Sequence, residues 1–484
     1  MEILECIFLK IVNTTIKDSQ FPDPLKQAEV TPILKQSTLD PEELKSFRPV
    51  SSTPFPSKPI ERVMYNQLDE YLEKNNLYAF YQSAYRKHYS CESALAKLTD
   101  DLQKMNNSGN DSVLILLDSS AAFDTVDHLI LLQKLEHNYM IKDNALKLIK
   151  SYLQNRTFAI KVNDVKSTSK ELKYGVPQGS LLGPLFYNLY TKDIETIVTK
   201  HGLRIITYAD DCQLYVAFKC ENLKETENIL KECLQDLQIW MDSMFLKLNQ
   251  EKTVIKFFRS KKSHLSDPGI KILNLDPKES IKSLGVYING KIKFDDFVSN
   301  KVRVCNLHLR NLYSVRHCLD YSTKVILVTN LILSKIDYCN ILLLGATKKT
   351  LNPLKLMINK AIRFIFNLKY KEHITPYYKK LHFLPIRQRI KFKACLTAFK
   401  IYHGIAPRYL QEEFNLHSQQ FSMQLRPGTG RDSLMFALNP DDKNNARLTT
   451  KIQKEWNTLS LATRTCTTLP QFKTRLKTEL YSEY

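Results

Sequence analysis

The spacing of hydrophobic and polar positions predicts a mixture of strands and helices in the first part of the chain and mainly helices after it. Short apolar runs, typical of strands, lie at VLILLD (113–118), FAIKVN (158–163), RIITYADDCQLYVAF (204–218) and 253–258. The third run predicts two strands joined by a tight turn at its acids. Helical spacing predicts helices from Ser57 onward and at 91–106, 127–153, 181–200 and 222–245. Past about residue 300 the pattern is mostly helical.

The composition is that of a folded globular protein without a zinc module. Of the 484 residues, 43% are hydrophobic and 25% are charged, which argues against disorder and for about two to four domains. The ten cysteines form no C-x-x-C pair, so we expect no zinc ribbon or knuckle. We expect reduced cysteines in an intracellular protein of the nucleus or cytoplasm.

The N-terminal segment MEILECIFLKIV fits a short amphipathic helix, and we assign residues 1–20 to it. Glu2 and Glu5 stand where a signal peptide would carry basic residues. No apolar run reaches the roughly 18 residues that a membrane span requires. We therefore expect no membrane partner.

Charge is distributed unevenly along the chain. Residues 1–300 contain 39 Lys and Arg and 39 Asp and Glu, whereas residues 301–484 contain 31 basic and 11 acidic residues. The net charge of +20 therefore comes from the last part of the chain. This pattern favours a neutral catalytic body followed by a polyanion-binding extension, although ribosomal, chromatin and membrane-surface proteins share such a composition.

Three aspartates stand at the ends of predicted strands. Asp118 ends one apolar run, and Asp210 and Asp211 lie at the predicted turn of another. Burying carboxylates there is costly without compensation, and Mg²⁺ accepts oxygen ligands of this kind. Two such ions about 4 Å apart can activate a hydroxyl and stabilise a leaving pyrophosphate. For any one aspartate alone, a solvated turn acid is the simpler interpretation.

Seven blocks of the sequence resemble those of non-LTR retrotransposon (LINE) reverse transcriptases of the jockey/CR1 kind. LDSSAAFDTVDH (117–128), YGVPQGSLLGPLFYNLY (174–190) and YADD (208–211) resemble motifs A, B and C of that family. Further blocks follow the family's order at 46–63, 81–95, 248–258 and 283–290, and the tail WNTLSLATRTCTTLPQFKTRLKTEL resembles the family's C-terminus.

The resemblance implies an α+β right-hand polymerase with an antiparallel-sheet palm, fingers and a helical thumb. We assign fingers and palm to residues 21–290, the thumb to 291–405 and a basic C-terminal extension to 406–484. The endonuclease that precedes the polymerase in such elements is expected to be absent here, and RNase H activity is not expected.

Metal binding is assigned by the resemblance to motifs A and C. Asp118, Asp210 and Asp211 would hold two Mg²⁺ ions, with Mn²⁺ as a substitute, and the carbonyl of Ser119 would be a further ligand. Lys252, in LNQEK, matches the motif whose lysine would protonate the leaving pyrophosphate. A structural or phosphate-contacting lysine is the alternative.

Nucleotide binding is assigned to three parts of the chain. Phe123 lies five residues after Asp118, at the position of the family's steric gate, where a ring would exclude a ribose 2′-OH. Gln178 and Gly179, in the glycine-rich GVPQGSLLG, would lie against the nucleotide or the template base. The cations Arg48, Arg86 and, less strongly, Lys35 would bind the triphosphate. An exposed surface charge is the alternative for each cation.

Three other polar residues of motif A are interpreted structurally. Asp124, Asp127 and His128 are expected to cap a helix or pack rather than to bind a ligand.

The basic back of the chain is expected to grip the primer–template through phosphate contacts. The residues that we assign to this role are Lys355, Lys360, Arg363, Arg387, Arg389, Lys391 and Lys393. For any one of them alone, a solvated helix face is the alternative.

The sequence therefore predicts an RNA-directed DNA polymerase with an RNA template, a DNA primer and dNTPs as partners. The alternative is a catalytically inactive or truncated relic that only binds nucleic acid. A group II intron maturase or a telomerase-like enzyme is a third interpretation. An RNA-dependent RNA polymerase is disfavoured by Phe123 and by YADD in place of GDD.

Overall fold

The computed structural model describes residues 2–36, 38–120, 123–249, 252–260, 263, 277–416, 434–438, 442 and 447–482. The described chain forms two compact units. The first contains residues 1–85, 117–214 and 227–253, and the second contains residues 86–116, 215–226 and 254–484.

The strands form four sheets. Their bounds are β1 Gln27–Leu34, β2 Phe47–Ser52, β3 Asp111–Leu117, β4 Ser119–Ser120, β5 Thr157–Val162, β6 Val165–Lys166, β7 Lys170–Glu171, β8 Arg204–Tyr208, β9 Asp211–Phe218, β10 Lys247–Leu248, β11 Val254–Phe258, β12 Ser280–Ser283 and β13 Val286–Asn289. β1 pairs antiparallel with β2 and parallel with β5, and β6 and β7 extend this sheet. A four-stranded sheet has the order β11-β3-β9-β8, with β11 antiparallel to β3.

The helices of the first unit are α1 Glu2–Asp18, α2 Ser57–Lys74, α4 His128–His137, α5 Asp143–Leu153, α6 Leu182–Tyr190, α7 Asp193–Lys200 and most of α8 Leu223–Ser243. Apart from α7, these helices contribute apolar residues to one core, in which Ile60, Leu131, Tyr152 and Phe186 are fully buried. Glu61 is buried among them and accepts a hydrogen bond from the amide of Leu181 at 2.6 Å. The α2 helix thereby holds the segment that leads into α6.

The helices of the second unit are α3 Cys91–Asn107, α9 Asp295–Ser314, α10 Tyr321–Val328, α11 Ser334–Asp337, α12 Lys348–Phe366, α13 Thr375–Lys380, α14 Ile386–Tyr402, α15 Arg408–Gln411, α16 Leu448–Asn457, α17 Leu461–Arg464 and α18 Leu469–Ser482. A π-helical turn, Thr329–Leu333, joins α10 to α11. α14 packs against α16 and α18, where Phe399 stacks on Phe472 at 4.3 Å between ring centroids. The elements on either side of the predicted 405/406 boundary therefore pack together.

Short 3-10 helices complete the described elements, at Asp23–Leu25, Leu44–Ser46, Cys220–Asn222, Arg316–Cys318 and Asn340–Leu343.

The α+β class predicted from the sequence is confirmed, but two predicted helices are each two helices. The predicted helix at 127–153 ends at His137 because Tyr139 turns into the core, where its hydroxyl donates to the carbonyl of Leu189 at 2.8 Å. Met140 then takes a left-handed conformation, with φ of 53°, which an α-helix excludes. The predicted helix at 181–200 likewise divides between Tyr190 and Asp193.

None of the described helices combines the length and the apolar character needed to span a bilayer.

Candidate active site

Asp118 follows β3, whose apolar side chains are buried except for the partly buried Leu116 and fix the end of the strand. Its backbone carbonyl accepts a hydrogen bond from the amide of Asn249 at 2.8 Å. Next to it, β4 pairs antiparallel with β10, with Ser119 opposite Leu248. The backbone on both sides of the Asp118 carboxylate is therefore anchored, while the metal-ligand role of the Ser119 carbonyl stays a prediction.

Asp210 and Asp211 lie where β8 turns into β9, as the sequence predicts for motif C. The preceding residue, Ala209, is buried and has a left-handed φ of 57°. Two residues connect the neighbouring strands, so the turn is as tight as a hairpin allows. Asp210 is half-buried and Asp211 is more exposed.

The three carboxylates influence one another electrostatically. Burial is the main cause that raises the pKa of Asp210, and the charge of Asp118 raises it further. Burial, followed by the charges of Asp210 and Asp118, raises the pKa of Asp211 to about 6. Carboxylates that disfavour one another's ionised form have an excess of negative charge, which a bound cation relieves.

Lys252 is the cation in direct contact with this group. Its Nζ lies 2.9 Å from Oδ2 of Asp118, and its backbone amide donates to Asn249. The lysine side chain is largely exposed, with 66% of its surface accessible, whereas that of Asp118 is 24% accessible. The structure thus brings the predicted general acid beside the predicted metal ligand.

Among the described residues, one acidic group has all its ligand atoms within 4.8 Å of one another, and it is not the predicted one. That group is Asp100, Asp101 and Glu413. Its members already contact Arg447 and Lys97. Sequence reasoning did not single out this cluster.

The glycine-rich loop of motif B is fixed against motif A by backbone contacts. Gly175 donates to the carbonyl of Val126 at 2.8 Å, and Val176 donates to that of Phe123 at 2.9 Å. Gly175 has φ of 80°, and a Cβ there would lie 2.7–2.8 Å from backbone atoms of Asp124. No side chain fits in that space, so glycine is required.

Gly179 brings the same loop against β2. Its φ is 115°, and a Cβ there would lie 2.6 Å from the carbonyl oxygen of Ser51. Ser51 donates to the carbonyl of Gln178 at 2.8 Å, and Lys58 donates to that of Gly179 at 2.7 Å. The loop that carries Gln178 is therefore held from both sides.

Asp124 has a more specific contact than the capping or packing that we expected for it. The Nε2 of Gln178 donates to both carboxylate oxygens of Asp124 at 2.9 Å. Burial raises the pKa of Asp124, and the hydrogen bond from Gln178 opposes this rise. Asp127 caps α4 as expected, since its side chain accepts hydrogen bonds from the amides of Leu129 and Ile130. The ring of His128 contacts the carbonyl of Gly175.

Phe123 contacts two tyrosines. Its ring centroid lies 4.7 Å from that of Tyr187 and 6.5 Å from that of Tyr85. Tyr85 is 48% exposed and has a φ of 57°, which is unusual for a bulky residue. Burial raises the pKa of Tyr85, and the charge of Asp210 raises it further. Tyr85 therefore lies near both the predicted gate and the metal-site acids, although sequence reasoning missed it within YQSAYRKHYS.

The predicted triphosphate cations lie in different surroundings. Arg48 is exposed on β2, and its charge lowers the pKa of Asp210. Lys35 is also exposed, and its Nζ donates to the carbonyl of Lys45 at 2.8 Å. Arg86 belongs to the second unit, where its guanidinium lies 4.0 Å from the ring centroid of Tyr89. The triphosphate role of each stays a prediction.

The basic residues predicted to bind nucleic acid fall into two groups. Lys355, Lys360 and Arg387 have exposed side chains, and Arg363 is partly buried and lies 5.6 Å from the ring of Tyr370.

The second group is engaged in ion pairs. Arg389 binds Asp337 through two nitrogens, with Nε at 2.8 Å from Oδ1. Lys391 lies 3.8 Å from Glu455, and Lys393 lies 3.3 Å from Glu92. These contacts favour a structural role for Arg389, Lys391 and Lys393, while the exposed group is better placed for phosphate contact.

Known proteins similar to this chain include retrotransposon polymerases. The probable RNA-directed DNA polymerase from transposon BS of Drosophila melanogaster is 26% identical over 78% of this chain and 42% of its own length. The RNA-directed DNA polymerase from mobile element jockey of the same species is 26% identical over 73% of this chain and 39% of its own length. The chain thus spans about two fifths of the length of these relatives.

A solved telomerase from Candida albicans, in complex with a fragment of telomeric RNA, aligns with 78% of this chain and 68% of its own, at 13% identity and a TM-score of 0.42. The family model for reverse transcriptase (RNA-dependent DNA polymerase) matches residues 33–288, which is more than half of the chain and includes Asp118, Asp210 and Asp211. The chain therefore belongs to the reverse transcriptase family.

Proposed function

We propose that this chain is the polymerase of a non-LTR retrotransposon, which transfers a nucleotide from a dNTP to a primer 3′-hydroxyl on an RNA template. The observation that carries the proposal is that Asp118 follows β3 and that Asp210 and Asp211 lie at the start of β9, the strand next to β3 in the sheet. The charge of Asp118 raises the pKa of both other aspartates, as expected for carboxylates that share a site. The family membership of residues 33–288 supports the same reaction. The alternative is a relic that binds nucleic acid without catalysis.

The donor set fits a hard divalent cation. Three carboxylates supply oxygen ligands, and their negative charge exceeds that of Lys252, which pairs with Asp118. Asp118, Asp210 and Asp211 would hold two Mg²⁺ ions, with the Ser119 carbonyl as a further ligand. When bound, the ions supply Lewis-acid stabilisation of the phosphoryl oxygens and lower the pKa of the attacking hydroxyl.

Side chains around the acids would select and orient the nucleotide. The Phe123 ring, supported by Tyr187, would exclude a ribose 2′-hydroxyl. The amide nitrogen of Gln178 is held by Asp124, which leaves its Oε1 to accept a hydrogen bond from a base or sugar. Arg48 would contact the triphosphate.

Lys252 would provide the proton for the leaving group. Its ammonium lies 2.9 Å from Oδ2 of Asp118, and an ammonium can donate a proton to a pyrophosphate oxygen that it contacts. Since its side chain is mostly exposed, it can turn from the carboxylate toward a bound triphosphate.

The basic second unit would bind the primer–template. The exposed Lys355, Lys360 and Arg387 would contact phosphates without reading the base sequence. We propose an RNA template and a DNA primer as the natural partners, in the nucleus or the cytoplasm.

Primer extension on an RNA template tests the proposal. The wild-type chain should incorporate dNTPs in the presence of Mg²⁺, and Asp210→Asn should abolish this signal. Asp164→Asn, which changes an exposed aspartate of the same unit, is the matched control and should be fully active. If the wild-type chain binds RNA but incorporates no nucleotide, the polymerase function is wrong and the non-catalytic, nucleic-acid-binding relic is favoured.

A further inference from the structure

A short segment before Tyr85 lies alongside β8, the strand that leads to the metal-site turn. The amide of Ser83 donates to the carbonyl of Thr207 at 2.9 Å, and the amide of Thr207 donates to the carbonyl of Tyr81 at 3.2 Å. Gln82 and Thr207 thus form an isolated parallel bridge. The backbone of this segment is therefore hydrogen-bonded to β8.

The side chain of Gln82 reaches past this bridge to the turn itself. It is 3% exposed, and its Oε1 accepts hydrogen bonds from the amides of Ala84 at 2.8 Å and Ala209 at 3.2 Å. Ala209 directly precedes Asp210 and is itself 9% exposed. The acceptor therefore lies one residue from a predicted metal ligand.

The conformation of Ala209 makes this acceptor important. Its φ of 57° lies in the left-handed region, which is unfavourable for an L-residue. Its buried N–H needs an acceptor, since a buried donor without one is destabilising. Gln82 supplies that acceptor while the backbone is in this conformation.

The other end of the segment is anchored to motif B. The side-chain amide of Asn188, which is buried in α6, donates to the carbonyl of Ala84 at 2.9 Å. A continuous chain of hydrogen bonds therefore leads from α6 through Ala84 and Gln82 to Ala209. This chain spans the motif B helix and the motif C turn.

We propose that Gln82 is a positioning residue that holds the Ala209–Asp210 turn and so directs the Asp210 carboxylate toward the metal ions. The proposal rests on the proposed function, because it assumes that Asp210 binds catalytic metal. Gln82 acts through Ala209 and does not contact the substrate.

Mn²⁺ binding followed by electron paramagnetic resonance, without primer or nucleotide, tests this role, and magnesium titration of primer extension accompanies it. Gln82→Met keeps the side-chain volume but removes the acceptor, and we expect the Mn²⁺ dissociation constant and the Mg²⁺ concentration for half-maximal activity both to rise about tenfold, as the loss of one buried hydrogen bond implies. Gln82→Glu keeps an acceptor oxygen, and its half-maximal Mg²⁺ concentration should stay nearer to that of the wild type.

The matched control removes a comparable hydrogen bond elsewhere in the unit. The hydroxyl of Tyr71 donates to the carbonyl of Tyr139 at 2.9 Å, so Tyr71→Phe should lower stability to a similar degree and leave the magnesium dependence unchanged. If the role of Gln82 is purely structural, Gln82→Met will resemble Tyr71→Phe, with lower stability and an unchanged magnesium dependence.

Gln82→Asn retracts the acceptor by one methylene and serves if Gln82→Met does not fold. An unchanged magnesium dependence in a folded Gln82→Met or Gln82→Asn would overturn the positioning role while the wild type stays active. Failure of the wild type itself to extend a primer would instead overturn the proposed function.

Discussion

Two acidic clusters in this protein differ in how their charge is balanced. In the second unit, Asp100 and Asp101 are almost fully buried on α3, and the partly buried Glu413 lies beside them. Arg447 contacts Asp100 and Glu413, and Lys97 contacts Asp101 at 3.1 Å and Glu413 at 2.8 Å. The protein's own cations therefore neutralise most of this cluster.

The cluster in the first unit has fewer cations. Asp118, Asp210 and Asp211 are less tightly grouped, and Lys252 contacts Asp118. The pKa values report the difference. Burial disfavours ionised Glu413, yet Lys97 and Arg447 outweigh it and lower its pKa to about 2, whereas the pKa of Asp211 rises to about 6.

Proximity of carboxylates is therefore a poor guide to a metal site. The tighter cluster is a buried ion-pair network that links α3 to the C-terminal residues, and a cation would have to displace Arg447 or Lys97 to enter it. The more open cluster keeps a negative charge that divalent ions can balance.

The largest expected effect is on catalysis. Asp118→Asn should reduce primer extension by about 10³-fold or more, because a metal ligand supplies several kcal/mol of transition-state stabilisation. The unfolding temperature should change little, since the substitution removes both the repulsion of Asp210 and Asp211 and the ion pair with the exposed Lys252. Activity close to that of the wild type would contradict the assignment of Asp118.

The second effect should be on stability. Arg447→Met leaves Asp100 and Glu413 without their arginine, and breaking such a buried pair costs about 3–5 kcal/mol. Thermal unfolding should therefore begin at a clearly lower temperature. Lys252→Met, at the exposed lysine, is the control and should unfold like the wild type; equal effects from both variants would remove the distinction between the clusters.

Selection of dNTP over rNTP should weaken when the ring of Phe123 is removed. Phe123→Ala should lower the preference for dNTP over rNTP by about 10–100-fold in kcat/KM, because a contact that excludes one hydroxyl is worth this much. Tyr85→Phe, which keeps the ring beside Phe123, should retain the preference. A Phe123→Ala enzyme that still rejects rNTPs would show that another group is the gate.

The stability of the first unit should depend on pH through Asp211. The folded-state pKa of Asp211, about 6, exceeds its unfolded value of about 3.9. The folded state thus binds this proton more tightly, so in EDTA the contribution of Asp211 to stability falls as pH rises from about 4 to about 6. Added Mg²⁺ should stabilise the protein more above this range than below it.

Thermal unfolding with EDTA and with Mg²⁺ at several pH values measures this effect. Asp211→Asn should weaken the pH dependence of the Mg²⁺ stabilisation. A Mg²⁺ effect that is the same at all pH values in the wild type would contradict the raised pKa of Asp211.

The smallest effect should be on nucleic-acid affinity. Lys355→Ala should reduce the slope of log affinity against log salt by about 1, as the loss of one phosphate contact implies. Arg389→Ala should leave that slope unchanged and lower stability, because Arg389 pairs with Asp337. The reverse pattern would exchange the roles assigned to the two residues.

The sequence predicted those features that depend on local pattern. The apolar run of β3, the acids at the turn before β9 and the glycines of motif B are encoded by adjacent residues, so their elements could be placed. The glycine requirement at Gly175 follows from a close approach of motifs A and B.

Other features depend on residues far apart in the chain. Arg447 and Asp100 are separated by 347 positions, and charge counting cannot show which lysines and arginines are paired. The same limit applies to Arg389, which composition favours as a phosphate ligand. Gln82 and Tyr85 were overlooked because a buried amide and an aromatic carry no distinctive charge signal.

Mn²⁺ binding followed by electron paramagnetic resonance is the most direct test of the difference between the two clusters. We predict that the wild-type chain binds Mn²⁺, that Asp210→Asn abolishes this binding, and that Glu413→Gln leaves it unchanged. Mn²⁺ binding that survives Asp210→Asn and is lost in Glu413→Gln would place the metal in the ion-pair network. That result would contradict the assignment of Asp118, Asp210 and Asp211 as the metal ligands.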